Sequence, residues 1–442
     1  MSLDLACVDP VHSRRRAAFF DGMSAESPSA VAVLAAATVS LRNNDVEHDY
    51  RQDSDFYYLT GFDEPDSVVV LDSKSRTMTL FVRPRDPARE VWVGVRAGVE
   101  GAKERFQADE AFPIAEFDDR LTGIVSDRTR LYYRLGTERA FDDRVLAAMQ
   151  RVRVRQRTGV TAPSEIVDPG ALLHEMRLRK SADELERMAI AASITKEAHA
   201  AAMSTTRPGM HEYEVEALVF RTFRGRGAER VAYPTIVGSG PNACVLHHTR
   251  NDRRIEEGDL VLIDAGCEYG YYASDVTRTF PAGRDFSREQ QAIYELVLDS
   301  QLEAIAAVRA GGTVRAVHDA AVAVLVRGLV SLGLLTGTVD EIVAAETHKR
   351  FYMHRTSHWL GMDVHDVGAY YVAGQPRPLE PGMVLTVEPG LYIAPNDDTV
   401  PAAWRGIGVR IEDDVLVTQS GSEVLTAGIP KTVDEIRRAR LG

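Results

Sequence analysis

One frame occurs twice in this sequence, as Glu256-Glu-Gly-Asp-Leu-Val-Leu-Ile-Asp-Ala-Gly266 and as Glu380-Pro-Gly-Met-Val-Leu-Thr-Val-Glu-Pro-Gly390. Each copy has an acid, a glycine two residues later, an apolar strand-like run, a carboxylate six residues after that glycine, and a second glycine two residues beyond the carboxylate. Chance similarity between two strand-and-turn segments is the alternative explanation. The repeat predicts two halves related by duplication, each placing a carboxylate (Asp264 or Glu388) at the end of a strand.

The composition around these segments is that of an ordinary globular protein. The chain has 442 residues, of which 45% are hydrophobic and 26% charged, and this length favours two or three domains. A formal net charge of −13 disfavours nucleic acid and anionic membranes as partners. Three cysteines are too few for a disulfide framework, and no apolar run approaches the roughly 20 residues that span a bilayer. We therefore expect a cytoplasmic protein with no nucleic-acid or membrane partner.

The sequence predicts a domain boundary near residues 170–180. Asp168-Pro-Gly170 breaks the chain, and Ser181-Ala-Asp-Glu184 is a capping-box pattern that opens a helix, which Arg207-Pro-Gly209 ends. We therefore place one domain at 1–175 and a second at 176–442. Within the first domain, the strict alternation of Arg151-Val-Arg-Val-Arg155 predicts an exposed strand.

The second domain has the pattern of an α+β (mixed α/β) fold. Helices are interleaved with pairs of strands rather than with single strands, which favours this class over a doubly wound sheet. The predicted helices lie near 211–226, 287–309 and 314–334, and the strand-like runs near 260–280, 383–393 and 407–417.

Asp264 and Asp275 are placed symmetrically about a predicted turn at Tyr269-Gly270. In an antiparallel hairpin of that register, the two carboxylates face each other with Cβ atoms about 5 Å apart. Like charges opposed in a buried strand pair are destabilising unless a cation lies between them. A hydrogen-bonded structural acid explains one such residue but not an opposed pair, so this hairpin indicates a metal site.

The second copy of the frame supplies a matching pair of acids. Glu388 ends its strand, and the chain returns through Gly408-Val-Arg-Ile-Glu412, so Arg410 and Glu412 share one strand face. Arg410 is suited to orient the neighbouring carboxylate or to balance surplus charge, with a simple surface Arg–Glu pair as the alternative.

Histidines cluster between these strands. His354, His358 and His365 lie there and His247 shortly before them, and no glutamate separates His354 from His358, so a zincin helix is rejected. An isolated histidine is more often a core or surface residue, but several among carboxylate-bearing strands favour a site.

The four carboxylates carry a charge that two divalent ions would neutralise. Oxygen-rich ligation with a single imidazole suits Mn²⁺, Co²⁺, Fe²⁺ or Zn²⁺ and disfavours a thiolate site. Two such ions hold a water between them and lower its pKa towards 7, which is chemistry for hydrolysis.

Six motifs resemble the pita-bread metallopeptidases and, among these, the bacterial Xaa-Pro aminopeptidases (aminopeptidase P). The N-terminal half resembles the creatinase-like domain of that family through Tyr50–Phe62 and Glu90–Gly98. The resemblance implies a creatinase-like domain followed by a pita-bread catalytic domain with pseudo-two-fold duplicated halves. The motifs are Leu262-Ile-Asp-Ala-Gly-Cys-Glu-Tyr269, Ala273-Ser-Asp-Val-Thr-Arg-Thr-Phe280, Ser357-His-Trp-Leu-Gly361, Asp363-Val-His-Asp366, Thr386-Val-Glu-Pro-Gly390 and Arg410-Ile-Glu-Asp413.

The resemblance also implies roles for individual residues. Two divalent ions per subunit, with Mn²⁺ favoured and Zn²⁺, Co²⁺ or Fe²⁺ as alternatives, would be held by Asp264, Asp275, His358, Glu388 and Glu412. Glu388 would also transfer protons, and His247, His354 and His365 would contact substrate. Arg410 and Tyr392 would organise the site, with Tyr392 also assigned to substrate binding. Trp92 would reach the pocket of a neighbouring subunit in a homo-oligomer, either a dimer or a tetramer.

The activity implied is removal of an N-terminal residue from peptides with proline in second position. A prolidase-type dipeptidase with the same metals is the nearest alternative. A methionine aminopeptidase is disfavoured by the long segment preceding the catalytic half. A non-catalytic pita-bread binding module would be expected to lack ligands, and none is missing here. Two departures from the family pattern, Arg355 in place of glycine and His248 in place of tyrosine, bear on substrate preference.

Overall fold

The backbone of the computed structural model, which describes residues 10–441, divides at Met176 into two units. Unit 1 comprises Met1–Met176 and unit 2 comprises Arg177–Gly442. Helix α7 (Gly170–Leu178) runs across the division.

Unit 1 is built on one mixed sheet of six strands in the order β6-β5-β4-β1-β7-β8. The central pairs β1–β4 and β4–β5 are antiparallel, whereas β1–β7, β5–β6 and β7–β8 are parallel. The elements are α1 (Pro10–Glu26), β1 (Ala30–Ala35), β2 (Leu41–Asn43), β3 (Val46–Glu47), α2 (Ser54–Thr60), β4 (Val68–Asp72), β5 (Thr77–Val82), α3 (Pro87–Val93), α4 (Gly98–Phe106), β6 (Glu110–Pro113), α5 (Phe117–Ile124), β7 (Arg130–Tyr132), α6 (Arg139–Val154) and β8 (Glu165–Val167).

The strand predicted at Arg151–Arg155 is wrong, because these residues end helix α6. Phe141, Val145 and Met149 are buried at helical spacing and dock the helix on the core of unit 1. Val152 continues that stripe, while Val154 is exposed. The alternation of arginine and valine at residues 151–155 therefore does not indicate a strand, because it falls at the end of a helix whose buried residues recur at helical spacing.

Unit 2 combines helices with several small sheets, which confirms the predicted α+β class. Two three-stranded sheets have the orders β10-β11-β14 and β17-β20-β21. The elements are α8 (Ala182–Thr205), α9 (Glu212–Gly225), β9 (Arg230–Val231), β10 (Ile236–Ser239), β11 (Leu260–Asp264), β12 (Cys267–Tyr269), β13 (Tyr272–Ala273), β14 (Thr277–Pro281), α10 (Arg288–Ala307), α11 (Val314–Ser331), α12 (Val339–Ala344), β15 (Tyr371–Val372), β16 (Gln375–Pro376), β17 (Val384–Val387), β18 (Gly390–Tyr392), β19 (Gly408–Arg410), β20 (Asp413–Val417), β21 (Ser422–Val424) and α13 (Val433–Leu441).

The helices predicted in this unit are confirmed, including the capping box that opens α8 at Ser181. Within residues 10–441, no helix combines the length and the apolarity that crossing a bilayer requires.

Both copies of the repeated frame fold as a tight turn followed by a strand. In each, the carbonyl of the first acid accepts a hydrogen bond from the N–H three residues later, at 3.2 Å in the first copy and 3.1 Å in the second. Gly258 and Gly382 occupy equivalent turn positions with φ of +86° and +90°, where a side chain would be strained. The closing glycines allow close backbone approach, since a Cβ on Gly266 would overlap the Ser274 carbonyl and one on Gly390 would lie 2.8 Å from the Val409 oxygen.

The hairpin that follows the first copy turns one residue later than predicted. Tyr269 pairs with Tyr272, and Asp264 pairs with Thr277 rather than with Asp275. The turn residues Gly270 and Tyr271 both have positive φ, as a two-residue hairpin turn matched to the strand twist requires. The predicted direct opposition of the two aspartates is therefore wrong, although both reach the same site.

A buried cluster of charged side chains anchors strand β20. Asp413, on β20, accepts hydrogen bonds from Arg278 at 2.7 Å and from Lys431 at 2.7 Å. Burial alone would raise the pKa of Asp413, but the two cations outweigh it and hold the pKa at about 2. The cluster therefore stabilises the fold at neutral pH, and its contribution is lost as the pH falls from about 4 towards 2.

We expect Asp413→Ala to lower the free energy of unfolding of unit 2 by about 3–5 kcal/mol, because it leaves Arg278 charged and buried without its partner. Urea denaturation followed by circular dichroism measures this loss. Asp285→Ala, which removes an exposed partner of Arg437, is the matched control and should cost less than about 1 kcal/mol. Equal losses in the two variants would contradict this account of Asp413.

Candidate metal centre and active site

Four carboxylates and one histidine converge in unit 2 on the ends of its strands. Asp264 is the last residue of β11, and Glu388 directly follows β17. Ligand atoms of Asp275, His358 and Glu412 all lie within 4.8 Å of one another. Asp264 and Glu388 line the same cavity as these three residues, so all five residues proposed as metal ligands lie around one cavity.

His358 is placed by an extended segment, 356–360, that runs antiparallel to β17. The Thr386 N–H donates to the His358 carbonyl at 3.0 Å, and the Glu388 N–H donates to the Thr356 carbonyl at 2.8 Å. The His358 Nδ1–H donates to the Trp359 carbonyl at 3.0 Å, which leaves Nε2 3.4 Å from oxygens of both Asp275 and Glu388. This backbone contact selects the tautomer whose free nitrogen faces the carboxylates.

The protein by itself does not balance the charge of this cluster. Burial, reinforced by the charges of Asp275 and Glu388, raises the pKa of Glu412 well above its usual range. Burial likewise raises the pKa of Glu388 to about 7, although His358 opposes the shift. For His358 itself, burial favours the neutral ring, but the hydrogen bond to Asp275 and the Glu388 charge outweigh it and raise the pKa to about 9. Protons thus occupy positions where cations would otherwise sit.

Neutral donors and one guanidinium hold the carboxylates in position. The Tyr233 hydroxyl hydrogen-bonds to Asp264 at 2.7 Å and also to Asp275. The Thr277 hydroxyl donates to Glu412 at 2.7 Å, and Arg410 Nη2 donates to Asp264 at 2.6 Å. The sequence did not predict Tyr233 and Thr277 as site residues, because a tyrosine or a threonine does not by itself indicate a carboxylate partner. Both contacts depend on the fold.

A hydrogen-bond chain links Arg410 to one of the pocket histidines. Arg410 Nη1 donates to the Tyr392 oxygen at 3.0 Å, so the Tyr392 hydroxyl donates onward to His354 Nε2 at 2.8 Å. His354 Nδ1 then donates to the Arg355 carbonyl at 2.8 Å and lies 3.9 Å from Glu388. Burial and the Arg410 charge lower the pKa of His354 to about 4, so its ring is neutral.

A cavity of about 950 Å³ opens above the carboxylates. His247, His354 and His365 line it together with the five proposed ligands and Arg410. His247 and His365 are exposed, and the His365 ring lies edge-on to His358 with centroids 4.5 Å apart. Burial and the His358 charge lower the pKa of His365. The size of the cavity suits a short peptide.

Two of the predicted substrate residues lie elsewhere. Tyr392 is 2% exposed and stands behind His354, so it positions that ring and does not line the cavity. Trp92 lies on α3 of unit 1 with 87% of its surface exposed, and its role in a neighbouring subunit stays a prediction. The cavity wall also holds Arg315, His318 and Thr356, which the sequence did not single out.

The donor set fits divalent cations of the first transition row. It offers carboxylate oxygens and one imidazole nitrogen and no thiolate, and the cluster is crowded with charge that only cations or protons relieve. Asp264, Asp275, His358, Glu388 and Glu412 are the residues that would hold such ions.

Comparison with known proteins agrees with this geometry. Residues 186–419 match the model of metallopeptidase family M24, and residues 12–132 match the aminopeptidase P N-terminal domain. The chain is 45% identical over 428 residues to the Xaa-Pro aminopeptidase of Escherichia coli (strain K12), with 96% of each protein covered.

Solved structures give the same result over nearly the whole chain. Pseudomonas aeruginosa aminopeptidase PepP matches with a TM-score of 0.95 at 51% identity, and 99% of each chain is covered. Zinc-substituted Escherichia coli aminopeptidase P in complex with product matches with a TM-score of 0.94 at 43% identity, again over 99% of each chain. The predicted resemblance, the fold class and the assignment as a hydrolase are confirmed. The chain therefore belongs to metallopeptidase family M24, and within it to the Xaa-Pro aminopeptidases.

Proposed function

We propose that this chain removes the N-terminal residue from peptides whose second residue is proline, using two divalent ions held by Asp264, Asp275, His358, Glu388 and Glu412. The observation that carries the proposal is the convergence of these ligands at the floor of a cavity of peptide size. The Xaa-Pro aminopeptidase named above, related over 96% of the chain, supports the substrate class. When bound, the ions would supply a hydroxide nucleophile at neutral pH, and Mn²⁺ is the ion we favour.

Glu388 is the residue that we assign to proton transfer. In the metal-free protein, burial raises the pKa of Glu388 to about 7, so its surroundings disfavour a bare carboxylate charge. Its backbone N–H is held by the Thr356 carbonyl at 2.8 Å, so its carboxylate stays at the cavity floor. Its position at the cavity floor suits Glu388 to accept a proton before bond cleavage and to deliver it to the leaving proline nitrogen.

The pocket histidines are placed to bind the peptide around the scissile bond. His247 and His365 are exposed to the cavity and have ring N–H groups available to donate to a carbonyl oxygen as it gains negative charge. His354 stays neutral, with both ring nitrogens held by protein partners, and orients the neighbouring loop. Because the Xaa-Pro bond has no N–H, recognition must come from such contacts to carbonyl groups and from packing of the proline ring.

A prolidase-type dipeptidase remains the second candidate on the same ligands. The cavity is open enough to admit more than a dipeptide, which favours the aminopeptidase. A non-catalytic binding module would have no reason to keep five ligands together. We further propose a cytoplasmic homo-oligomer, with exposed Trp92 as the contact to a neighbouring subunit.

The direct test compares Xaa-Pro-Yaa tripeptides, Xaa-Pro dipeptides and Xaa-Ala-Yaa tripeptides with Mn²⁺ present. We expect release of the first residue from Xaa-Pro-Yaa only, loss of that activity with EDTA, and recovery when Mn²⁺ is restored. Chromatography of the released amino acid gives the rates. Cleavage confined to dipeptides would establish the prolidase instead.

Metal affinity should increase as the pH rises from 6 to 9. In the metal-free protein, the pKa values of about 7 for Glu388 and about 9 for His358 mean that both residues carry protons at pH 6, and these protons must leave when metal binds. Calorimetric titration of the metal-free protein with Mn²⁺, in two buffers of different ionisation enthalpy, counts the protons released. More protons should be released at pH 6.5 than at pH 9. Affinity that is independent of pH would contradict the protonated cluster.

We expect Glu388→Gln to lower kcat by about 10²- to 10⁴-fold, because the amide cannot accept the proton. Stopped assays on a tripeptide measure kcat, and elemental analysis of the same sample shows whether metal is retained. Glu303→Gln, an exposed position on α10, is the matched control and should leave kcat unchanged. Full activity in the Glu388 variant would rule out its assigned role.

A further inference from the structure

We propose that Arg315 and Arg355 form a cationic wall of the substrate cavity that selects peptides carrying a carboxylate on the third residue. This inference rests on the proposed function and names the substrate subclass that the same cavity favours. The carboxylate is either the C-terminus of an Xaa-Pro-Yaa tripeptide or an acidic side chain at the third position.

Arg355 stands directly beside the catalytic floor. Its neighbour His354 lies 3.9 Å from the Glu388 carboxylate, and its other neighbour Thr356 accepts the Glu388 N–H at 2.8 Å. The Arg355 side chain is exposed and lines the cavity. Two further residues of an extended peptide cover about 7 Å, so a long side chain rooted here is placed to meet a group just beyond the proline.

No carboxylate of the described residues lies within ion-pair distance of the Arg355 guanidinium. Its charge acts instead on nearby groups, since burial together with the Arg355 charge lowers the pKa of His318 to about 4. Glu346, whose pKa is lowered by Lys349 first and also by the Arg355 charge, is already paired with Lys349 at 2.6 Å. The Arg355 charge is therefore available to a ligand.

Arg315 contributes the second charge from the first turn of α11. It lines the same cavity, and within residues 10–441 its one ion-pair partner is Asp319, at 3.6 Å on the exposed surface. Exposed pairs of this length are worth little, so Arg315 can exchange this partner for a substrate carboxylate. His318, on the same helix as Arg315, hydrogen-bonds to the Thr356 hydroxyl at 2.8 Å and so connects α11 to the segment that carries Arg355.

The charge distribution also fixes which end of the peptide meets this wall. The free amino group of a substrate is a cation, so it is attracted to the carboxylate floor and repelled by Arg315 and Arg355. An enzyme that removes a single residue must hold that amino group within one residue of the reacting bond. The cationic wall therefore faces the part of the peptide that follows the proline, where only a negative group gains from it.

The experiment uses four tripeptides: Ala-Pro-Glu and Ala-Pro-Gln, each as the free acid and as the C-terminal amide. With the Mn²⁺-loaded enzyme, we expect each carboxylate to raise kcat/KM by about three- to fivefold, mainly through KM, as an exposed ion pair would. The acid-to-amide and Glu-to-Gln comparisons distinguish the two sources of the carboxylate. Inhibition by the dipeptides Pro-Glu and Pro-Gln gives a readout independent of turnover.

Variants then assign the effect to the two arginines. Arg355→Ala and Arg315→Ala should each lower the ratio of kcat/KM between the carboxylate-bearing and the neutral peptides, Arg355→Glu should invert that ratio, and Arg355→Lys should restore most of it. Arg226→Ala, which removes an exposed arginine on the surface of unit 2, is the matched control and should preserve the preference.

Two results would overturn the proposal in distinguishable ways. A ratio near one in the unaltered enzyme, or a preference that survives Arg355→Glu and Arg315→Ala, refutes the cationic wall and leaves the proposed function intact. Failure to cleave any of the four tripeptides, including the neutral amide, refutes the proposed function and the wall that rests on it.

Discussion

Buried negative charge is the constraint on which the catalytic unit depends. Strand ends and their turns deliver four carboxylates to one place, and burial raises the pKa of Asp275, Glu388 and Glu412 there. Arg410 contributes one positive charge and Tyr233 two hydrogen bonds, which orient the set without neutralising it. Such a cluster is stable only when protons or metal ions occupy it. The buried negative charge that destabilises the fold therefore also favours the binding of cations.

The adjacent acids Glu412 and Asp413 show that the partners of a buried carboxylate determine the direction of its pKa shift. Glu412 faces Asp275 and the other carboxylates, and its pKa is raised, whereas Asp413 meets Arg278 and Lys431 and has a pKa of about 2. Consecutive residues along an extended chain point to opposite sides, so Glu412 faces the carboxylate cluster, where we propose that it holds metal, and Asp413 anchors the strand that follows. The stability of β20 and the geometry of the site are therefore linked through adjacent side chains.

The cavity above the cluster is lined by groups of both charges. Carboxylates form its floor, while Arg315 and Arg355 stand on its wall. A peptide is positive at its amino end and negative at its carboxyl end, so the cationic wall that we propose would favour one direction of binding. Orientation of the substrate would then depend on the whole cavity rather than on any single contact.

The sequence by itself determined the fold class and the capping box of α8, and it singled out the four acids and the histidine that the structure places around one cavity. These depend on local signals, namely periodicity, turn glycines such as Gly258 and Gly382, and acids at the ends of apolar strands. Only the tertiary structure decided the hairpin register at Gly270 and Tyr271, the helical state of Arg151–Val154, and the contacts of Tyr233 and His318. Each of these depends on residues distant along the chain. Packing against the core favours a helix at Arg151–Val154 despite the local alternation. The roles of Tyr233 and His318 depend on their hydrogen-bond partners, which no short motif indicates.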